Sequence, residues 1–148
     1  MYSCTFIGHR DCSKGIKEKL IFEIENLILH QNANTFYVGT QGGFDRLVYE
    51  CLCELEEKYI IKVVVVLAYL NREDELTYYD TKKTIFPDCL AKTPPRFAIS
   101  KRNDYMLKNA DFLICYLDKQ FSNTYELVLK AVKKKMKIIN LGRLTINE

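Results

Sequence analysis

Short apolar runs and helical stripes of apolar residues alternate along this chain, and the alternation predicts its elements in order. Residues 3–7 form the first apolar run and read as a strand. Ser13 is placed to cap a helix whose apolar positions, Ile16, Leu20, Ile24, Leu27 and Ile28, fall on one face, and the polar residues 32–34 end it. Residues 35–38 predict a second strand. Leu47, Val48, Cys51, Leu52 and Leu55 mark the buried stripe of a second helix. Residues 62–67 contain four consecutive valines and are apolar on both faces, which suits a central parallel strand covered on both sides. After a break in the pattern, a helix is predicted over residues 100–108 and a buried strand over 111–117. A helix over 123–135, with Leu127, Val128, Ala131 and Val132 inward, and a last strand over 137–141 complete the series.

Strand–helix alternation of this kind predicts an α/β fold, a Rossmann-like three-layer sandwich of about five mainly parallel strands with helices on both faces and right-handed crossovers. The break, at about residues 69–99, holds Tyr69, Tyr78, Tyr79, Phe86, Pro87, Pro94, Pro95 and Phe97. It is too long for an ordinary connection and reads as an insertion with short helical turns inside a single domain spanning 1–148. In a parallel sheet, every loop that follows a strand emerges at the same edge, where such folds bind ligands. Residues 8–10, 39–45, 68–71 and 118–124 are therefore expected to converge.

The loop at 39–45 is the most distinctive of these. Three of the six glycines, Gly39, Gly42 and Gly43, stand within five positions, interleaved with Thr40 and Gln41 and followed by Asp45. Glycines at a strand-to-helix turn let backbone N–H groups approach a phosphate, and the helix dipole favours an anion there. The competing explanation is a tight turn. Asp45 falls in the first helical turn, where it would repel phosphate but accept hydrogen bonds from ribose hydroxyls. Gly8, His9 and Arg10 occupy the equivalent place after the first strand, with Arg10 as an anion partner and His9 as either a contact or a packed imidazole. Arg102 and Asn103, near a helix start, combine a guanidinium fork and an amide. Ser122, Asn123 and Thr124 can bind an anion or simply cap the last helix. Tyr69, Tyr78 and Tyr79 are candidates to stack on a base, or to pack the insertion against the body.

At 148 residues the chain can bury about 70% of its unfolded surface, enough for one core. Charge is nearly balanced, with 22 Lys+Arg against 19 Asp+Glu, and much of the excess lies in Lys133, Lys134, Lys135 and Lys137. That balance argues against nucleic acid as the partner and favours a solvated helix end. The N-terminus lacks the features of a signal peptide and no stretch is long enough to span a bilayer, so a cytoplasmic protein without a membrane partner is expected. Six cysteines include no CxxC pair, and Cys4, Cys51 and Cys115 fall within apolar patterns, so they read as small hydrophobes. With only His9 and His30 as histidines, in unrelated settings, no metal or other cofactor is expected.

Four segments in order, Phe6-Ile7-Gly8-His9-Arg10, Gly42-Gly43-Phe44-Asp45-Arg46, Ser100-Lys101-Arg102-Asn103-Asp104-Tyr105-Met106 and Asn109-Ala110-Asp111, resemble the SLOG superfamily of Smf/DprA and LOG proteins, and within it the YpsA-like branch. The resemblance covers nearly the whole chain. It implies a Rossmann-like binder of nucleotides or nucleotide derivatives, with NAD- and ADP-ribose-type molecules as a first ligand class. Some members, the LOG enzymes, cleave the N-glycosidic bond of nucleoside monophosphates through a PGGxGTxxE loop. This chain departs there: Phe121-Ser122-Asn123-Thr124-Tyr125-Glu126-Leu127 lacks the glycines, and Leu127 stands where the glutamate would be. Glu126 is one residue early, rotated by about 100° on a helix, and is a weak catalytic candidate.

Together these features lead to the expectation of a nucleotide-derivative sensor or sequestering domain that binds without turnover. The alternative is N-glycosidic hydrolysis assisted by Glu126, Glu50 or Asp45. Single-stranded nucleic-acid binding through the lysine run and tyrosines is a further alternative. Apolar strands and helix faces also predict a homo-oligomer.

Overall fold

A computed structural model describes residues 1–70 and 77–146. Six parallel strands form one sheet: β1 (Tyr2–Gly8), β2 (Ala33–Val38), β3 (Lys62–Val66), β4 (Thr84–Ile85), β5 (Phe112–Tyr116) and β6 (Lys137–Asn140), in the order β4-β3-β2-β1-β5-β6. The helices are α1 (Lys17–His30), α2 (Gly42–Glu56), the short α3 (Asp88–Ala91), α4 (Ala98–Asn109) and α5 (Asn123–Lys133). The Rossmann-like α/β architecture is as expected.

Side-chain alternation along the central strands creates two cores. Cys4 and Phe6 of β1, Phe36 of β2, Val63 and Val65 of β3, and Ile114 of β5 face α1 and α2, where Leu20, Ile24, Val48, Leu52 and Leu55 close over them. On the opposite face, Ile7, Leu113 and Cys115 pack under Val128 and Ala131 of α5, and Val64 and Val66 pack against Met106 of α4. Burial on both faces is why β3 reads as an uninterrupted apolar run. Each fully buried large aliphatic or aromatic side chain contributes about 1.5–3 kcal/mol.

The sixth strand is the main departure from the expected five. Thr84 and Ile85 lie inside the insertion and pair with Val65 and Val66, extending the sheet beyond β3. Two residues carry no readable period, so the strand exists only because the neighbouring edge offers hydrogen bonds. The described remainder of this segment carries short helical turns at Thr81–Lys83, Asp88–Ala91 and Pro95–Phe97, with Leu90 and Ala98 buried against Ala68. Pro94 and Pro95 lead through a 3₁₀ turn into α4, which begins two residues earlier than the apolar pattern suggests. Ser13 also acts one step earlier than expected: its Oγ accepts from Gly15 N at 3.1 Å and so caps the 3₁₀ turn ahead of α1.

All six cysteines are free thiols, and burial raises the thiols of Cys51 and Cys115 to about 12, so they pack as small apolar groups. Among the described residues, no helix is long and apolar enough to cross a membrane.

Leu52 is fully buried between α2 and the sheet. Leu52→Ala is expected to lower the unfolding free energy by about 2–5 kcal/mol, read from the midpoint shift in urea at unchanged slope.

Candidate ligand-binding site

Strand order reverses its direction of growth at β1, whose neighbours β2 and β5 are reached by connections on opposite faces of the sheet. At such a switch point the two loops diverge and leave a crevice beyond the strand ends. A cavity of about 300 Å³ lies there. Phe6, Ile7, Gly8 and Arg10 line it from β1 and its loop, Gln41 and Asp45 from the start of α2, Ile99, Arg102 and Asn103 from α4, and Asn123, Thr124 and Leu127 from α5. Gly8, Arg10, Gln41, Asp45, Arg102, Asn103, Asn123 and Thr124 are thus brought together as expected. Phe6, Ile7, Ile99 and Leu127 form an apolar wall that was read only as core or insertion, since nothing in a sequence separates a cavity-lining apolar residue from a core one. Of the loop at 68–71, Asn71 lies outside the described residues.

The glycine loop also has structural tasks of its own. Gly43 N donates to Arg10 O at 2.8 Å, and Gln41 N donates to Asp45 Oδ2 at 2.9 Å, so two of its amides are committed internally. Each glycine instead makes room for a neighbour. Gly42 has φ 84°, and a Cβ there would stand 2.8 Å from Arg10 Cα; one on Gly43 would stand 2.8 Å from Arg10 O. A Cβ on Gly8 would meet the Phe44 ring at 2.3 Å. These contacts press the start of α2 onto the end of β1.

Gly39 serves a different pair. A Cβ there would lie 2.9 Å from Asp45 Oδ2 and 3.0 Å from Arg102 Cζ, so its absence lets a carboxylate and a guanidinium approach the same space from α2 and α4. Both are buried, Asp45 at 6% exposure and Arg102 at 1%. Arg102 Nη1 donates to Thr40 Oγ1 at 3.1 Å and Nη2 to Asn103 Oδ1 at 3.4 Å. Thr40, expected as a ligand contact, is therefore a partner of Arg102. Burial pushes the Asp45 carboxyl up to about 6, while the Arg102 charge and the Gln41 amide pull it back.

His9 is also structural. Its Nε2 accepts from Asp118 N at 2.9 Å and Lys119 N at 3.2 Å, which makes it a neutral imidazole joining the β1 and β5 loops. Burial and the nearby Lys119 charge lower its pKa, with Asp118 opposing. Ser122 caps α5, its Oγ accepting from Tyr125 N at 3.1 Å. The amides of Asn123 and Thr124, first in the helix, stand outside the helical ladder. Phe121 just before them has φ 49°, a left-handed conformation that costs an L-residue roughly 1–2 kcal/mol.

A family model described as the YspA SLOG family matches residues 4–147. The chain belongs to this family. Among solved structures, it is similar to DNA processing protein A (DprA) from Streptococcus pneumoniae, with a TM-score of 0.70 and 15% identity, over 95% of this chain and 50% of that one. It is also similar to DprA from Helicobacter pylori, with a TM-score of 0.67 and 14% identity, over 99% and 67% of the respective chains. This chain thus spans half the length of the S. pneumoniae protein. A search of the curated proteins finds no match.

Within this SLOG domain the catalytic candidates separate. Leu127 lines the cavity whereas Glu126 is exposed on the neighbouring direction of α5, as its one-residue offset implies. Glu50 accepts from Tyr78 Oη at 2.9 Å, on the outside of α2. Asp45 is the carboxylate that reaches the cavity. The tyrosines also take their structural role. Tyr49, Tyr78 and Tyr79 pack edge to face, with the Arg46 guanidinium 4.5 Å from the Tyr78 ring centre, and Tyr69 Oη donates to Pro95 O at 3.0 Å. Tyr78 and Tyr79 thus fasten the insertion to α2, and Tyr69 ties its two ends together. The lysine run lies at the far edge, because α5 starts beside the cavity and carries Lys133 about 16 Å away.

Two pH dependences of opposite sign follow. The folded state holds the Asp45 proton at about pH 6, against about 3.8 for an ordinary aspartate. Wild type should therefore gain stability relative to Asp45→Asn as pH falls from about 7 to 4, by on the order of 3 kcal/mol. His9 binds its proton more weakly folded than unfolded, so wild type should lose stability relative to His9→Gln as pH falls below about 6.5. Melting temperatures across pH 4–8 check both signs.

Proposed function

We propose that the cavity binds a nucleotide or nucleotide derivative without turning it over, so that the domain acts as a sensor or sequesters its ligand. What carries this reading is the convergence of buried Asp45, Arg102 and Asn103 with exposed Arg10 around one cavity at the switch point. Arg10 and the amides at the start of α5 suit a phosphate, since a guanidinium and a helix N-terminus both favour negative charge. Asp45 and Asn103 suit the hydroxyls of a sugar, because a carboxylate and an amide oxygen both accept hydrogen bonds. Phosphate is disfavoured beside an ionised Asp45, and this orients the ligand with its phosphate toward Arg10. With Glu126 and Glu50 turned elsewhere, the hydrolytic alternative would rest on Asp45 alone.

Thermal shift of the whole chain against nucleoside 5′-monophosphates, ADP-ribose and NAD tests the proposal, since a ligand that binds the folded state must raise its melting temperature. Arg10→Ala is expected to weaken a phosphate-bearing ligand roughly ten- to hundred-fold, the worth of a charge-assisted hydrogen bond. Absence of any shift would remove the nucleotide reading. Release of free base or nicotinamide would replace binding by N-glycosidic hydrolysis.

A second reading is favoured by the likeness to H. pylori DprA, a protein described for its single-stranded DNA binding mode. It reverses the weight that near-balanced charge gave against nucleic acid. Arg10 and the α5 start would then meet backbone phosphate, and oligonucleotide affinity would fall steeply with added salt. Affinity absent at low salt would end this reading.

A further inference from the structure

We propose that Phe121 is the base-stacking residue of this site: its ring forms the outer wall on which a nucleobase lies while the sugar phosphate occupies the cavity. This rests on the nucleotide reading above. A cavity of about 300 Å³ is at the lower end for enclosing a small-molecule ligand, so part of a nucleotide must lie across the rim. Phe121 stands on that rim. It precedes Asn123 and Thr124, which line the cavity, by two and three residues, and two residues of chain reach at most about 7 Å.

The backbone that carries the ring is held on both sides. On one side of Phe121, Asp118 N and Lys119 N both donate to His9 Nε2, and Arg143 N donates to Asp118 Oδ1 at 2.6 Å. On the other, Ser122 Oγ donates to Lys119 O at 3.2 Å and Ser122 also caps α5. Between these anchors Phe121 adopts φ 49° and remains 95% exposed. A glycine or asparagine would take that conformation at less cost, and the ring contributes nothing to either core. Phe97, exposed at the same edge, differs in that the Arg96 guanidinium lies 4.8 Å from its ring centre. An aromatic side chain on a held backbone, bare to solvent beside a polar cavity, is suited to a flat aromatic group.

Calorimetric titration of the full chain with the 5′-monophosphates of adenosine, guanosine, cytidine and uridine, and with ribose 5-phosphate, tests the proposal on wild type, Phe121→Gly and Phe121→Trp. Glycine accepts the positive φ, so Phe121→Gly should melt at or above the wild-type temperature. It should nevertheless bind the preferred monophosphate about ten-fold more weakly, the loss expected for one stacked base. Ribose 5-phosphate, which has no base, should bind both proteins equally, and Phe121→Trp should restore the monophosphate affinity. Unchanged monophosphate affinity in Phe121→Gly would overturn the stacking role and leave the cavity reading standing. Equal weakening of both ligand types would overturn it too, as the mark of a merely structural loop residue. If wild type binds none of these compounds, both proposals fall together.

Discussion

A carboxylate and a guanidinium buried at one end of a parallel sheet constrain everything near them. Asp45 and Arg102 enter the space beside Gly39 from two helices on opposite sides of the sheet edge, and neither has water enough to solvate its charge. Desolvated charges are tolerated only when neighbours supply dipoles or opposite charge. Gln41 N supplies one such dipole to Asp45, and Thr40 and Asn103 supply others to Arg102. The loop between β2 and α2 is therefore shaped by the need to serve two charges, and its glycines follow from that need.

The same constraint sets the character of the cavity. Because α2 is pressed onto the β1 loop through Gly42, Gly43 and the Phe44 ring, the wall on that side is rigid and presents Asp45 and Arg10 from a close-packed base. The facing wall is carried by α4 and α5, and its loop is tied across the crevice by the His9 imidazole. Support of this kind holds a small number of polar groups in a fixed geometry, the condition under which binding carries a low ordering cost. The polar lining of the cavity carries both signs, with exposed Arg10 and buried Arg102 beside the Asp45 carboxyl.

Much of the architecture was legible from residue order. The four valines of β3, the i, i+4 stripe of α1 and the alternation of strands with helices leave few topologies open once crossovers must be right-handed. That the loops after β1, β2 and β5 meet was legible for the same reason, because parallel strands send every following loop to one edge, whereas residues 68–70 after β3 do not line the cavity. β4 was not legible, since a two-residue strand has no period and owes its existence to the exposed edge of β3. The tyrosines of the insertion were legible as aromatic but not as packed, because whether a ring meets solvent or another ring depends on how the insertion folds back onto α2.

The order of residues by itself determined five of the six strands, the helical layers and the polar side chains that meet at the crevice, because periodicity and chain direction are local properties that survive without tertiary contacts. It also turned Glu126 about 100° from the direction of Leu127, since that rotation separates neighbours on a helix. Only the tertiary structure decided what each edge residue does. Gly39, Gly42, Gly43, Thr40 and His9 carry the marks of phosphate contacts in one dimension, yet in three dimensions they serve Arg10, Arg102 and the β5 loop. The physical reason is that an amide or an imidazole binds whichever partner is nearest, and nearness between residues distant in the chain is a property of the packed fold alone.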